Sequence, residues 1–175
     1  MNFECDVSVK KPYPPIMVSG ENQRYAGILM RLYAGRCSEL TTVDQYIYQN
    51  IVLGDKKRDI ASVIECIAIV EMRHFKMLGE LIRLLGVNPK IMAPSGNRRG
   101  SYWSGEYVSY QKDLNSVSLC DILQTDLESE KYAIKDYTNA IAQIEDIYIQ
   151  DVLERIIVDE KHHVEIFEGL ILSEC

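Results

Sequence analysis

Only three histidines occur in the chain, and two of them stand three residues after a glutamate, in Glu71-Met72-Arg73-His74 and Glu160-Lys161-His162-His163. On a helix, residues three apart share a face, so each ExxH motif sets a carboxylate beside an imidazole. That donor pair, hard oxygen with borderline nitrogen, suits iron or manganese. Both motifs replace apolar residues where a helical stripe demands inward side chains: Ile64, Ile67, Glu71, His74, Leu78 in one run and Ile156, Glu160, His163, Phe167 in another. Two further glutamates interrupt stripes in the same way. Glu39 falls in the series Leu32, Gly35, Glu39, Val43, Tyr46, and Glu130 in the series Leu123, Leu127, Glu130, Ile134.

An ionised carboxylate removed from water costs several kcal/mol unless something compensates it. No inward Lys or Arg is expected at the level of these four. Two divalent cations would balance four carboxylates, with one imidazole completing each ligand set. The expected ligands are therefore Glu39, Glu71, His74, Glu130, Glu160 and His163. An internal repeat agrees: Glu71 to Glu160 and His74 to His163 each span 89 residues, and Glu39 to Glu130 spans 91. Tyr46 and Tyr137 each follow their glutamate by seven. The repeat implies pseudo-twofold symmetry with two similar metal positions.

Four helical runs are expected to carry these residues. The first covers about 20–53 and closes at Gly54; the second covers 57–85 and stops at Gly86, with Pro89 beyond; the third covers 118–144 and the fourth 147–172. The first and second runs, and the third and fourth, are joined by short links, which makes antiparallel pairs. Residues 86–116 lack a clean period and form a long crossover between the second and third helices, leaving those two parallel. The fold class is all-α, a four-helix bundle with one long crossover. Residues 1–18, with Pro12, Pro14 and Pro15, read as an extended arm, and residues 19–175 as the bundle domain.

With these motifs the chain resembles the ferritin-like superfamily over roughly residues 20–172, and within it rubrerythrin, bacterioferritin and the manganese catalases. The resemblance implies that Glu39 and Glu130 match the family's lone glutamates, one of which usually bridges the metals. It implies that the two ExxH motifs supply the other ligands and that Tyr46 matches a tyrosine behind them. The expected activity is reduction of hydrogen peroxide or dioxygen at two iron ions; manganese catalase-like dismutation with two manganese ions and ferritin-like ferroxidase storage are the alternatives. Because the rubredoxin-like domain of classical rubrerythrins is absent, an external electron donor is required. A homo-oligomer, at least a dimer, is expected.

The remaining features have plainer readings. His162 lies about 100° from His163 and should face outward. Glu128 sits off the inward stripe, and Tyr46 and Tyr137 are equally readable as core aromatics. Trp103, Tyr102, Tyr107 and Tyr110 should pack the crossover on the bundle. The five scattered cysteines, without a C-x-x-C pair, read as reduced thiols of a cytoplasmic protein. The net charge of −7 and the lack of a long basic run argue against nucleic acid, and no apolar stretch reaches the ~18 residues a membrane span needs.

Overall fold

The computed structural model describes residues 5–54, 56–91 and 118–175. Within them lie five helices: α1 (Gln23–Ala34), α2 (Glu39–Leu53), α3 (Arg58–Leu84), α4 (Leu119–Ile141) and α5 (Ile147–Glu174). The second, third and fourth expected helices correspond to α3, α4 and α5. The first is divided into α1 and α2, a correction to the continuous helix over 20–53. Gly35 leaves the helix in an extended conformation, where a Cβ would lie 2.4 Å from the Arg31 carbonyl oxygen. Ser38 then restarts it, its hydroxyl accepting from the Thr41 N–H at 3.4 Å. The interruption makes Glu39 the first residue of α2, where the helix dipole favours negative charge.

The direction of the helices follows from contacts at the two ends. Lys57, just before α3, meets Glu174 at the end of α5 at 2.9 Å, and Cys175 is disulfide-bonded to Cys120 at the start of α4. At the opposite end the Asn22 N–H, before α1, donates to the Leu85 carbonyl after α3 at 3.1 Å. Thus α3 and α4 start at the same end of the bundle and run parallel, as a ferritin-like bundle requires. Most of the crossover between them, residues 92–117 with Trp103, Tyr102, Tyr107 and Tyr110, lies outside the described residues.

Helix α3 stops as its sequence demands. Gly86 adopts φ 85°, its N–H bonds the Arg83 carbonyl at 3.1 Å, and the Val87 N–H bonds that of Ile82 at 3.2 Å. A β-carbon would be strained at that φ, which is why glycine closes the helix.

Apolar packing forms two layers. One joins Leu29, Leu32, Leu78, Leu81, Ile149, Leu153 and Ile156; the other joins Tyr46, Ile64, Ile67, Leu123, Leu127 and Phe167. Between the layers sit Glu39, Glu71, His74, Glu130, Glu160 and His163, all buried.

The cysteines require a second correction. Four of the five are paired, Cys5 with Cys66 and Cys120 with Cys175, and Cys37 lies outside both disulfides. Their Cα atoms are 5.4 and 5.8 Å apart, the normal reach of a disulfide, although 61 and 55 residues separate them along the chain. Scattered spacing said nothing of spatial proximity, so reduced thiols no longer support a cytoplasmic placement. Among the described residues no helix is long and apolar enough to cross a membrane.

Candidate metal centre

Two glutamates and two histidines come from the interiors of the long helices α3 and α5, and Glu39 and Glu130 enter from α2 and α4. The six side chains converge. His74 Nδ1 lies 2.9 Å from Glu71 Oε2, 3.0 Å from Glu160 Oε1 and 3.9 Å from Glu39 Oε2. His163 Nδ1 lies 2.9 Å from Glu71 Oε1, 3.6 Å from Glu130 Oε2 and 3.7 Å from Glu160 Oε2. Ligand atoms of Glu39, Glu71, His74 and Glu160 all fall within 4.8 Å of one another, and so do those of Glu71, Glu130, Glu160 and His163.

Glu71 and Glu160 therefore belong to both groups, whereas Glu39 and Glu130 each belong to one. This corrects the expectation that a lone glutamate bridges. The shared carboxylates are those of the ExxH motifs, because α3 and α5 bring Glu71 and Glu160 between the two imidazoles.

Tyr46 and Tyr137 make a crossed pair. The Tyr46 hydroxyl of α2 donates to Glu130 on α4, and the Tyr137 hydroxyl of α4 donates to Glu39 on α2. Both rings are buried. Each tyrosine thus fixes the glutamate of the opposite hairpin, and Tyr137 is as much part of the arrangement as Tyr46. Glu128 is exposed and accepts from Gln124 at 3.2 Å. His162 points away from the cluster toward Glu165, 3.4 Å distant.

Protonation follows from burial and mutual charge. Burial raises Glu39 well above the ordinary carboxylate range, helped by repulsion from Glu71 and Glu160. Burial with the neighbouring Glu160 pushes Glu130 up to about 8. Burial alone would lower the imidazoles, but the carboxylates, Glu71 foremost, outweigh it and raise both His74 and His163. For Glu71 and Glu160 burial pushes upward, yet the imidazoles prevail at Glu71, a hydrogen bond with Glu130 and then the imidazoles prevail at Glu160, and both are lowered.

The residues present fit a pair of metal ions. Glu71 Oε1, Glu160 Oε1 and His163 Nδ1 are buried without a well-directed hydrogen bond, each aimed into the cluster. Buried polar atoms in that condition cost free energy unless a ligand engages them. A cavity of about 40 Å3 touches Glu39, Glu71, Glu130 and Glu160 and opens between α2 and α4 past Thr42 and Ala133. It has room for water-sized molecules.

Sequence reasoning missed a group behind His74. Its Nε2 lies 3.2 Å from Asp159 Oδ2, and Asp159 pairs with Arg155 at 2.8 Å. Arg155 is buried, but it pairs with Asp159 rather than with the four glutamates. Asp159 also accepts from the Tyr13 hydroxyl and the Val9 N–H. Burial would raise its pKa, but these donors, His74 and Tyr13 foremost, hold it well below the usual carboxylate range. The one signal in the sequence was the i, i+4 pair Arg155–Asp159. A second missed group, Asp126 with Gln45 and Gln49 donating to it at 2.8 and 2.7 Å, lies one turn from Glu130.

A ferritin-like domain model matches residues 32–172. The chain belongs to the ferritin-like domain family. Among ferritin-like relatives, it is 27% identical over 158 residues to a bacterioferritin of Desulfovibrio desulfuricans, covering 88% of this chain and 79% of that one. Among solved structures of the same fold, KatB, a manganese catalase from Anabaena, superposes with a TM-score of 0.75 at 22% identity, over 99% of this chain and 80% of that one. The Rhodobacter capsulatus bacterioferritin, described with a metal-free dinuclear site and heme iron, gives 0.68 at 23%, over 88% and 87%. At these identities the structural likeness concerns the fold.

Proposed function

We propose that the protein is a dinuclear-metal oxidoreductase of rubrerythrin type, reducing hydrogen peroxide or dioxygen at two iron ions with an external electron donor. The observation that carries this reading is the duplication of one donor set about shared carboxylates: Glu39 and His74 on one side, Glu130 and His163 on the other, Glu71 and Glu160 between. Two bound irons would supply two electrons to one substrate in one pocket. Reduction of peroxide then takes up two electrons and two protons and gives two waters.

The chain's own part is to hold and insulate. Glu71 and Glu160 keep the two positions adjacent, while Tyr46 and Tyr137 fix the outer glutamates through their hydroxyls. The apolar layers above and below exclude bulk water, and the cavity between α2 and α4 admits a molecule of peroxide's size. The reductant in this reading is an external electron donor.

Homo-oligomerisation belongs to the same proposal, supported by exposed apolar pairs at Ile47 and Ile51 on α2 and Ile69 and Met72 on α3. So does the division into an arm of residues 1–18 and a bundle of 19–175.

The bacterioferritin relative favours a second reading, ferroxidase oxidation feeding storage. That reading needs a closed shell, and size-exclusion chromatography separates a cage from a dimer. For the leading reading, reduced, iron-loaded protein is mixed anaerobically with peroxide while ferric absorbance is followed. One peroxide should disappear per two irons oxidised, and further cycles should stall without an added donor. Steady oxygen evolution from peroxide alone would replace this reading with manganese catalase-like dismutation.

A further inference from the structure

We propose that the two metal positions are inequivalent: the position at His74 binds its ion more tightly than the one at His163, because Asp159, clamped by the N-terminal arm, supports only the first imidazole. The inference rests on the dinuclear reading above and adds to it a difference between halves that the repeat would otherwise make alike.

Each imidazole turns Nδ1 toward the glutamates, which leaves Nε2 as the distal atom. Behind His74 that atom donates to Asp159, 3.2 Å away. An ionised carboxylate can only accept, so the contact fixes both the ring's orientation and the tautomer that leaves Nδ1 free to ligate. Asp159 is itself immobilised. Arg155 lies 2.8 Å from it, the Val9 N–H donates at 2.9 Å, and the Tyr13 hydroxyl donates to the same oxygen as His74. Arg155 in turn donates to the carbonyls of Val9 and Lys11 at 2.9 and 3.0 Å and lies 4.1 Å from the Tyr13 ring centroid. The arm and α5 thus form one hydrogen-bonded clamp around a single carboxylate.

His163 has no such support. Its Nε2 is buried and without a hydrogen-bond partner among the described residues. The 89-residue repeat explains the difference, since the residue equivalent to Asp159, immediately before Glu71, is Val70. A valine there offers no acceptor. Loss of the partner behind a ligating histidine typically costs roughly 10- to 100-fold in metal affinity, which sets the expected difference.

Repulsion between two bound ions would also weaken a second binding step, so the two positions are best compared one at a time. Glu39→Ala removes a ligand found only in the His74 group, and Glu130→Ala one found only in the His163 group. Each full-length variant, and the unaltered chain, is stripped of metal and titrated anaerobically with Mn2+, read by electron paramagnetic resonance, and in parallel with Fe2+. The expected result is one ion per chain in each variant, held roughly 10- to 100-fold more weakly in Glu39→Ala than in Glu130→Ala.

Tyr13→Phe, which keeps the ring but removes a donor to Asp159, should weaken binding in the Glu130→Ala background and leave it unchanged in the Glu39→Ala background. A general loss of stability would affect both. Val70→Asp should tighten the ion that remains in Glu39→Ala, a gain that misfolding cannot imitate. Equal affinities in the two single-position variants would overturn the inference and leave the dinuclear reading standing. Failure of the unaltered chain to bind either ion would overturn both.

Discussion

Glu71→Ala should empty both metal positions, whereas Glu128→Ala should leave both filled. Glu71 contributes one oxygen 2.9 Å from His74 and the other 2.9 Å from His163, so its carboxylate serves both donor groups. Loss of a charged ligand exceeds the roughly 10- to 100-fold cost of losing a group behind a ligand, and here the loss falls on two ions together. Glu160→Ala should behave in the same way. Glu39→Ala and Glu130→Ala should each retain one ion, because each carboxylate belongs to one group. Metal analysis after gel filtration, in ions per chain, distinguishes these cases. Retention of one ion in Glu71→Ala would show that the carboxylate is not shared.

Removing the metals should destabilise the fold, and increasingly so as pH rises. In the metal-free protein, folding raises Glu39, Glu130, His74 and His163 above their unfolded values of roughly 4.3 for Glu and 6.5 for His. A group raised by folding contributes stability that is complete below its unfolded pKa and disappears as pH climbs through its folded pKa, about 8 for Glu130. Glu71 and Glu160 are lowered, so their contribution is present above roughly 4.3 and is lost as pH falls through their folded values. Metal-free protein should therefore be most stable in mildly acidic solution and weaken between about pH 6 and 9.

Bound cations take over the role of those protons. With metal present at 100 times its dissociation constant, the stabilisation is about 2.7 kcal/mol, or roughly 5–10 °C in melting temperature for a chain of this size. Chelator should produce at least that drop at pH 7 and a larger one at pH 9. Loading should also release protons, because folding raises the imidazoles, Glu39 and Glu130 and ligation requires them deprotonated; the release is measurable by calorimetry in buffers of different ionisation enthalpy. A melting temperature indifferent to chelator across this range would contradict the site. Asp126, pushed up to about 8 mainly by burial, is not among the ligands and should weaken both forms alike toward alkaline pH.

The inward placement of Glu39, Glu71, His74, Glu130, Glu160 and His163 was legible because helical periodicity converts spacing into facing. Even the break at Gly35 left that inference intact, since Glu39 still points inward from the first turn of α2. What was not legible depends on contacts between distant segments. Asp159 meets Val9 and Tyr13 across some 150 residues, and no local period announces an arm folding back onto α5. Cys5 and Cys66 pair for the same reason. The choice of Glu71 and Glu160 as shared carboxylates depends on how α3 and α5 face each other, which spacing within one helix does not encode. The buried group of Gln45, Gln49 and Asp126 escaped for the same reason, since its hydrogen bonds join α2 to α4 across some 80 residues.

Whether these six residues hold two ions is tested most directly by anomalous scattering at the iron and manganese edges, on crystals of protein purified from its native source. The expected result is two peaks of one metal in the layer between the apolar clusters, one beside His74 Nδ1 and one beside His163 Nδ1, with Glu71 and Glu160 between them. A single peak, peaks outside this layer, or none in protein purified without chelator would contradict it.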